Sequence, residues 1–176
     1  MRRRWLLLAA PVSLGNAVLL PGCGFALRQT PMLPFQRIAL TGFAPSSALA
    51  EALRQRLAER AQVVATAAQA EVLLQALQDQ RERSVVASTA AGQVRELQLR
   101  VRFEFRLASA TGRELIAPTE LLLTRDMSYS ETAALAKAQE EAELVAAMQA
   151  DIVQQVLRRL AQVRLDGPGP VSLPTR

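Results

Sequence analysis

Side chains able to do acid–base, metal or thiol chemistry are scarce in this chain. It has no histidine, and its only cysteine and only lysine are Cys23 and Lys137. Histidine is the commonest general base and the commonest metal ligand, and a single cysteine forms neither an internal disulfide nor a thiolate metal cluster. Glu140, Glu141 and Glu143 form a run of carboxylates, which is typical of a solvated helix face. The composition predicts a protein that is not an enzyme and holds neither cofactor nor metal; an enzyme working through carboxylates is the less favoured alternative.

The N-terminus has the order of an export signal. Arg2–Arg4 supply a basic start, and the apolar stretch Trp5–Leu20 is shorter and more interrupted than the ~20 apolar residues that span a membrane. It ends in Leu20–Cys23, which resembles a bacterial lipobox, whose cysteine carries the lipid. We expect residues 1–22 to be a lipoprotein signal peptide and Cys23 to be lipidated, the alternative being a buried free thiol. By similarity to Gram-negative lipoproteins, Gly24 in place of aspartate implies a lipid-anchored outer-membrane protein that faces the periplasm.

The positive charges are unevenly placed. The chain carries a net charge of +5, to which Arg2–Arg4 contribute three cations. The remainder is only mildly basic, so we expect no nucleic-acid partner. Arg100, Arg102 and Arg106 lie on the same face of the predicted alternating strand. There they form either ion pairs with neighbouring strands on a solvent-exposed face or a strip that binds anions. Lys137 lies near a predicted helix N-terminus, where a cation is unfavourable; it therefore needs an acidic partner or a ligand.

Hydrophobic periodicity predicts five strands and two helices in the order β-α-β-β-β-β-α. The clearest pattern runs through Val94–Leu107, where apolar and polar residues alternate as in a strand with one buried face. Val72–Leu77 is compatible with either a helix or a strand; its shortness favours a strand, which Val85 and Val86 continue. The other predicted elements are strands at Arg37–Thr41, Val63–Ala65 and Glu114–Tyr129, and helices at Leu49–Ala61 and Ala133–Val163.

These elements predict an α/β (α+β) fold. Two helices packed on one face of a mixed four- to five-stranded sheet would form a two-layer sandwich over residues 37–163. A lipidated tether is expected over residues 23–36, and a disordered tail over residues 164–176. The second helix is expected to bury one apolar stripe, formed by Leu135, Ala138, Ala142, Val145, Met148, Ile152, Val156 and Leu160.

Short motifs along the mature chain resemble the LPS-assembly lipoprotein family, LptE. Residues Cys23–Arg28 read Cys-Gly-aromatic-x-Leu-Arg, the opening typical of that family, and Gly92-Gln93 precedes the long alternating strand. The segments Ala134–Lys137 and Gln154–Leu160 are similar to segments of the family. By order and spacing, the resemblance covers most of residues 23–160.

The resemblance implies a function and a site. LptE-like proteins bind the outer-membrane β-barrel LptD, assist its assembly, help to move lipopolysaccharide to the outer leaflet, and bind lipopolysaccharide through basic residues. Lys137 stands where the family has a ligand-binding lysine, whereas a second basic position falls on the alanines at residues 90–91. Arg83 and Arg95 are the ligand-binding residues expected to replace it, with Arg81 as a further candidate.

The partners implied by the resemblance are an LptD-type barrel, lipopolysaccharide and, through the lipid on Cys23, a membrane. The alternative is a structural outer-membrane lipoprotein scaffold that binds no lipopolysaccharide. From sequence, only Lys137 and the arginines separate these two functions.

Overall fold

A mixed five-stranded sheet, in the strand order β2-β1-β3-β4-β5, forms one layer of the molecule. The computed structural model describes residues 32–165. β1 pairs in parallel with both β2 and β3, whereas β3, β4 and β5 are antiparallel neighbours. The strands are β1 (Arg37–Thr41), β2 (Gln62–Val64), β3 (Val72–Ser88), β4 (Val94–Ser109) and β5 (Glu114–Ser128), and the helices are α1 (Ala48–Ala58) and α2 (Ala134–Ala161).

The two helices pack against each other on one face of the sheet, which we call the helix face; the other is the open face. The predicted two-layer α+β architecture is therefore confirmed. The predicted signal peptide, Cys23 and most of the predicted tether and tail lie outside the described residues.

The core lies between the helix face and the two helices. The predicted alternation of β4 is confirmed, because every second residue is buried beneath the helices: Leu97, Leu99, Val101, Phe103, Phe105 and Leu107. α1 begins after Ser47, whose hydroxyl accepts a hydrogen bond from the backbone N–H of Ala50 and so caps the helix. The apolar stripe of α1 is also buried as predicted, through Leu49, Ala50, Leu53 and Leu57.

β3 differs from its predicted extent. It is one strand of 17 residues that includes the charged segment Asp79–Arg83, because β4 offers a continuous ladder of backbone partners along that length. Backbone pairing therefore holds a segment whose side chains are largely exposed. The register shifts between Ala76 and Gln78, so Leu77 is the extra residue of a β-bulge, and it shifts again between Val85 and Ala87 and between Ala87 and Ser88.

α2 also differs from its prediction. Its buried residues begin only at Met148 and include Ile152, Val156 and Leu160. Three of the four predicted core positions in its first half are wrong: Ala138 and Ala142 are exposed, and Leu135 is 87% exposed. Val145 is partly buried and packs against the core, as predicted. The first half of α2 therefore extends past the core, and its apolar side chains are not all directed toward the sheet.

Two local features shape the rest of the sheet. Pro118, which cannot donate to a strand ladder, lies in the edge strand β5 between residues at which the pairing with β4 shifts. Gly42, directly after β1, has a φ of +78°, and a side chain there would overlap the backbone carbonyl oxygen of Ala76. The turn after β1 thus passes close against β3.

Candidate ligand-binding site

The three cations predicted to bind a ligand lie at the same end of the sheet. We call it the distal end: it holds the turn between β3 and β4 and the start of α2. The proximal end holds the turn between β4 and β5 and the start of β1, where the backbone N–H of Glu71 bonds the carbonyl of Arg37. Arg83 is in the last third of β3, Arg95 is the second residue of β4, and Lys137 is in the first turn of α2. Spacing along the sequence does not show that these three residues lie at the same end of the sheet.

Lys137 is held by neighbouring polar groups. Its Nζ donates to Ser128 Oγ at 2.9 Å and to Glu140 Oε2 at 2.7 Å, and its side chain is only 20% exposed. The acidic partner that a cation near the helix N-terminus needs is therefore present, one turn along. The bond to Ser128 also ties the start of α2 to the end of β5.

Arg83 joins β3 to α2. It lies opposite Leu99 in the β3–β4 register, so its side chain is on the helix face. Its Nη1 is 3.1 Å from Glu141 Oε2, and its side chain is 58% exposed. Most of the guanidinium surface thus remains open to an anion while one nitrogen is paired.

Arg95 is the least constrained of the three. Its carbonyl accepts a hydrogen bond from the Tyr129 N–H at 2.8 Å, while its exposed side chain has no ion pair within residues 32–165. It borders a shallow depression of about 190 Å³ together with Gln93, Val94 and Ser130–Thr132. The depression adjoins the turn that carries the alanines at residues 90–91.

A cleft of about 420 Å³ separates the first half of α2 from the distal part of β3. Its lining includes Leu99 of β4, the small or apolar residues Ala138, Ala142 and Val145 of α2, and the charged residues Arg81, Arg83 and Glu141. Sequence reasoning missed this cleft, because it assigned the alanines of α2 to the core.

The open-face arginines are engaged in ion pairs and hydrogen bonds. Arg100 Nη1 lies 3.6 Å from Glu82 Oε2, and Arg102 Nη1 lies 3.7 Å from Glu120 Oε2. Arg106 donates to the side chain of Gln75 at 2.8 Å. These contacts favour the wet, paired face over the anion-binding strip.

Among residues 32–165, no group of three or more Asp, Glu, Cys or His side chains is arranged to hold a metal ion. The carboxylates near the start of α2 contact cations instead: Glu140 pairs with Lys137 and Glu141 with Arg83. Over the same residues, neither helix is long and apolar enough to cross a membrane.

Comparisons with known proteins give one matching family model and several similar solved structures. The family model described as LptE, lipopolysaccharide-assembly, matches residues 35–160. An uncharacterized lipoprotein B from Nitrosomonas europaea, solved by NMR, is 36% identical to this chain with a TM-score of 0.66, and the match covers 78% of this chain and 90% of that one. The rare lipoprotein B from Shewanella oneidensis is 25% identical with a TM-score of 0.60, covering 72% and 94%.

A minor lipoprotein from Acinetobacter baumannii, 21% identical over 77% of this chain and 99% of its own, shares the fold with a TM-score of 0.61. A comparison with curated protein sequences gives no match.

Proposed function

Because the chain belongs to the LptE family of lipopolysaccharide-assembly proteins, we propose that it is a non-enzymatic, lipid-anchored outer-membrane lipoprotein. In this function it binds an LptD-type β-barrel, aids assembly of the barrel, and helps to carry lipopolysaccharide to the outer leaflet. The observation that carries the proposal is that Lys137, Arg83 and Arg95 all lie at the distal end of the sheet. Phosphate groups favour such multiple cationic contacts.

The position of the cations suits this function. The segment that carries Cys23 leads into β1, which starts at the proximal end. β3 has 17 residues, so at about 3.3 Å per residue the distal end lies roughly 50 Å from the proximal end. The hydrocarbon core of a bilayer is about 30 Å thick. A domain anchored at its proximal end in the inner leaflet and seated in a barrel would therefore carry its cations to the level of the outer leaflet.

Replacement of Lys137 tests ligand binding. We expect Lys137→Ala to weaken lipopolysaccharide binding about tenfold, because one charge-assisted hydrogen bond to phosphate is lost. Lys137→Asp should weaken it further by repulsion, and Lys137→Arg should largely preserve it. Titration of the full-length protein with lipopolysaccharide at low and high salt measures these effects, and the wild-type affinity should fall as salt rises. The melting temperature should drop by only about 3 °C or less, because the contacts of Lys137 lie near the surface.

The matched control for charge is Arg54→Asp. Arg54 is an exposed cation on α1, paired with Glu51 at 2.7 Å, and it is not among the residues that line the distal cleft or depression. This variant should bind lipopolysaccharide as the wild type does. If it binds as weakly as Lys137→Asp, net charge and not the distal site governs binding.

A structural scaffold without a lipid ligand is the second candidate function. It is favoured by one observation, namely that Lys137 and Arg83 already have carboxylate partners in Glu140 and Glu141. The same titration separates the two functions, because a scaffold would show no saturable binding of lipopolysaccharide.

Purification from outer membranes tests the anchor and the barrel partner. We expect Cys23 to carry lipid and residues 1–22 to be absent from the mature protein, and we expect an LptD-type barrel to co-purify. Cys23→Ser should leave the precursor unprocessed and unlipidated, because the thiol is the only acyl acceptor of its kind in the chain. Mass spectrometry that finds residues 1–22 attached and a free thiol at Cys23 would contradict the lipoprotein assignment.

A further inference from the structure

The cleft beside α2 exists because α1 is short. α1 has 11 residues and is capped by Ser47, whose hydroxyl donates to Asp79 Oδ2 at 2.6 Å and so fixes the start of the helix against the middle of β3. α2 packs mainly against β4 and β5. The distal third of β3 is therefore not covered by a helix, and only the side of α2 borders it.

The two walls of the cleft differ in chemistry. The α2 wall presents Ala138, Ala142 and Val145, and Leu99 contributes from β4. The β3 wall presents Arg81, Glu82 and Arg83. Arg100 of β4, which pairs with Glu82 at 3.6 Å, also lines the cleft. The volume of about 420 Å³ falls in the range of small-molecule sites, which combine an apolar lining with a few polar groups.

The apolar surface continues toward the distal turn. Val85, two residues beyond Arg83 on the helix face, is 55% exposed. Arg81 has no ion pair within the described part of the chain. An apolar floor beside an unpaired cation matches a ligand with a hydrocarbon chain and an anionic head group.

One ion pair connects the two walls. Arg83 Nη1 and Glu141 Oε2 are 3.1 Å apart, and the arginine side chain is 58% exposed. The glutamate side chain is 27% exposed, so the pair is partly exposed, and pairs near the surface stabilise the fold little. A phosphate, in contrast, accepts two parallel hydrogen bonds from a guanidinium. A phosphorylated ligand can therefore replace Glu141 at Arg83 with little cost to the fold.

We propose that the cleft between α2 and β3 receives an acyl chain of lipopolysaccharide, and that Glu141 competes with a phosphate of the same ligand for Arg83. This inference rests on the proposed function and adds an apolar subsite to the cationic cluster. Lys137 contacts Ser128 on the β5 side of α2, so the subsite and Lys137 lie on opposite flanks of one helix.

Ala142→Trp tests the acyl subsite. Ala142 is exposed and lines the cleft, so an indole there fills the space without disturbing the core. Ala146→Trp is the matched control: it is the same substitution one turn later, at an exposed position that does not line the cleft. Both variants and the wild type are immobilised as full-length proteins, and binding of intact lipopolysaccharide and of chemically deacylated lipopolysaccharide is measured. Circular dichroism checks that both variants are folded.

We expect the wild type to bind the intact ligand at least tenfold more tightly than the deacylated one, since each buried methylene changes the dissociation constant about fourfold. Ala142→Trp should abolish this difference and leave deacylated binding unchanged, whereas Ala146→Trp should behave as the wild type. If Ala142→Trp keeps the difference while Lys137→Asp still weakens both ligands, the acyl subsite is wrong and the proposed function stands. If the wild type binds neither ligand, both are wrong.

Two further measurements complete the test. Glu141→Gln should tighten binding of deacylated lipopolysaccharide several-fold and Arg83→Gln should weaken it; an unchanged affinity in Glu141→Gln overturns the competition. Phosphatidylglycerol vesicles are the other source of acyl chains and phosphates. The wild type should bind them more weakly than lipopolysaccharide and without sensitivity to Ala142→Trp; equal binding with equal sensitivity would overturn the assignment of the cleft to lipopolysaccharide.

Discussion

Phe103→Asp is expected to unfold the domain. Phe103 is fully buried on β4 and lies between two other rings, with centroid distances of 5.8 Å to Phe43 and 5.4 Å to Phe105. The substitution removes this packing and leaves a carboxylate in the core without a cationic partner. Together the two effects should lower the free energy of unfolding by at least about 5 kcal/mol, which is comparable to the whole stability of many domains. Urea denaturation followed by circular dichroism measures the loss.

Arg102→Ala is the control on the neighbouring residue. Arg102 points to the open face, where its Nη1 lies 3.7 Å from Glu120 Oε2. Loss of this long, partly exposed ion pair should cost within about 1 kcal/mol. Equal destabilisation by the two substitutions would mean that the faces of β4 are wrongly assigned.

Gly42→Ala is expected to have the second largest effect on stability. The φ of +78° at Gly42 disfavours any side chain, and a methyl group there would overlap the carbonyl oxygen of Ala76. Because that oxygen belongs to the backbone, the turn itself must move. Strain and overlap together should lower the free energy of unfolding by about 3 kcal/mol, which a shift of the urea midpoint reports.

Gly112→Ala is the control that separates the backbone strain of a positive φ from steric overlap with a neighbouring atom. Gly112, in the turn between β4 and β5, has a φ of +85°, and no atom lies within 4 Å of the position that a methyl group would take there. The conformational cost alone is about 1 kcal/mol. If Gly42→Ala costs no more than Gly112→Ala, then the close approach of the turn to β3 is not rigid.

Sequence pattern was sufficient wherever one face of an element is buried along its whole length. β4 alternates over its buried stretch, and α1 carries one apolar stripe under a serine cap. In both, local preference and tertiary burial favour the same residues, so the pattern predicts the structure. The return strand β5 was also predicted, although only Leu121 and Met127 of its residues are buried, and Pro118 lies where its pairing with β4 is interrupted.

The helix α2 was predicted, but the buried face of its first half was not, because most of the apolar residues there do not lie on the side of the helix that faces the sheet. Measured back from the buried Met148 at about 100° per residue, Lys137 and Glu141 lie within roughly 20° of the sheet direction, whereas Leu135 lies about 140° away. The helical angle therefore points two charged residues at the sheet and one leucine at solvent, as observed. The predicted stripe was continued through Leu135 because it is hydrophobic, although its helical angle directs it away from the sheet.

The charged middle of β3 could not be predicted for a different reason, although Val85 and Val86 were expected to continue the strand. The segment Asp79–Arg83 has no hydrophobic period, and backbone pairing with β4 rather than burial makes it a strand. Since backbone pairing leaves no mark on the side-chain pattern, neither this segment nor the cleft beside it was visible. The bond from Ser47 to Asp79 was hidden in the same way, because it joins residues distant in sequence.

The bulge at Leu77 changes which residues of β3 face the helices. Before it, the even-numbered residues Val72, Leu74 and Ala76 face the helices; after it, the odd-numbered Arg81 and Arg83 do so, opposite Val101 and Leu99.

If Leu77 were drawn into regular pairing, each following side chain would change face. The side chain of Glu82, which already borders the cleft, would then turn to the helix face, and the two arginines would turn to the open face. The strand register thus determines whether arginine or glutamate side chains point into the cleft, and the single extra residue Leu77 sets that register.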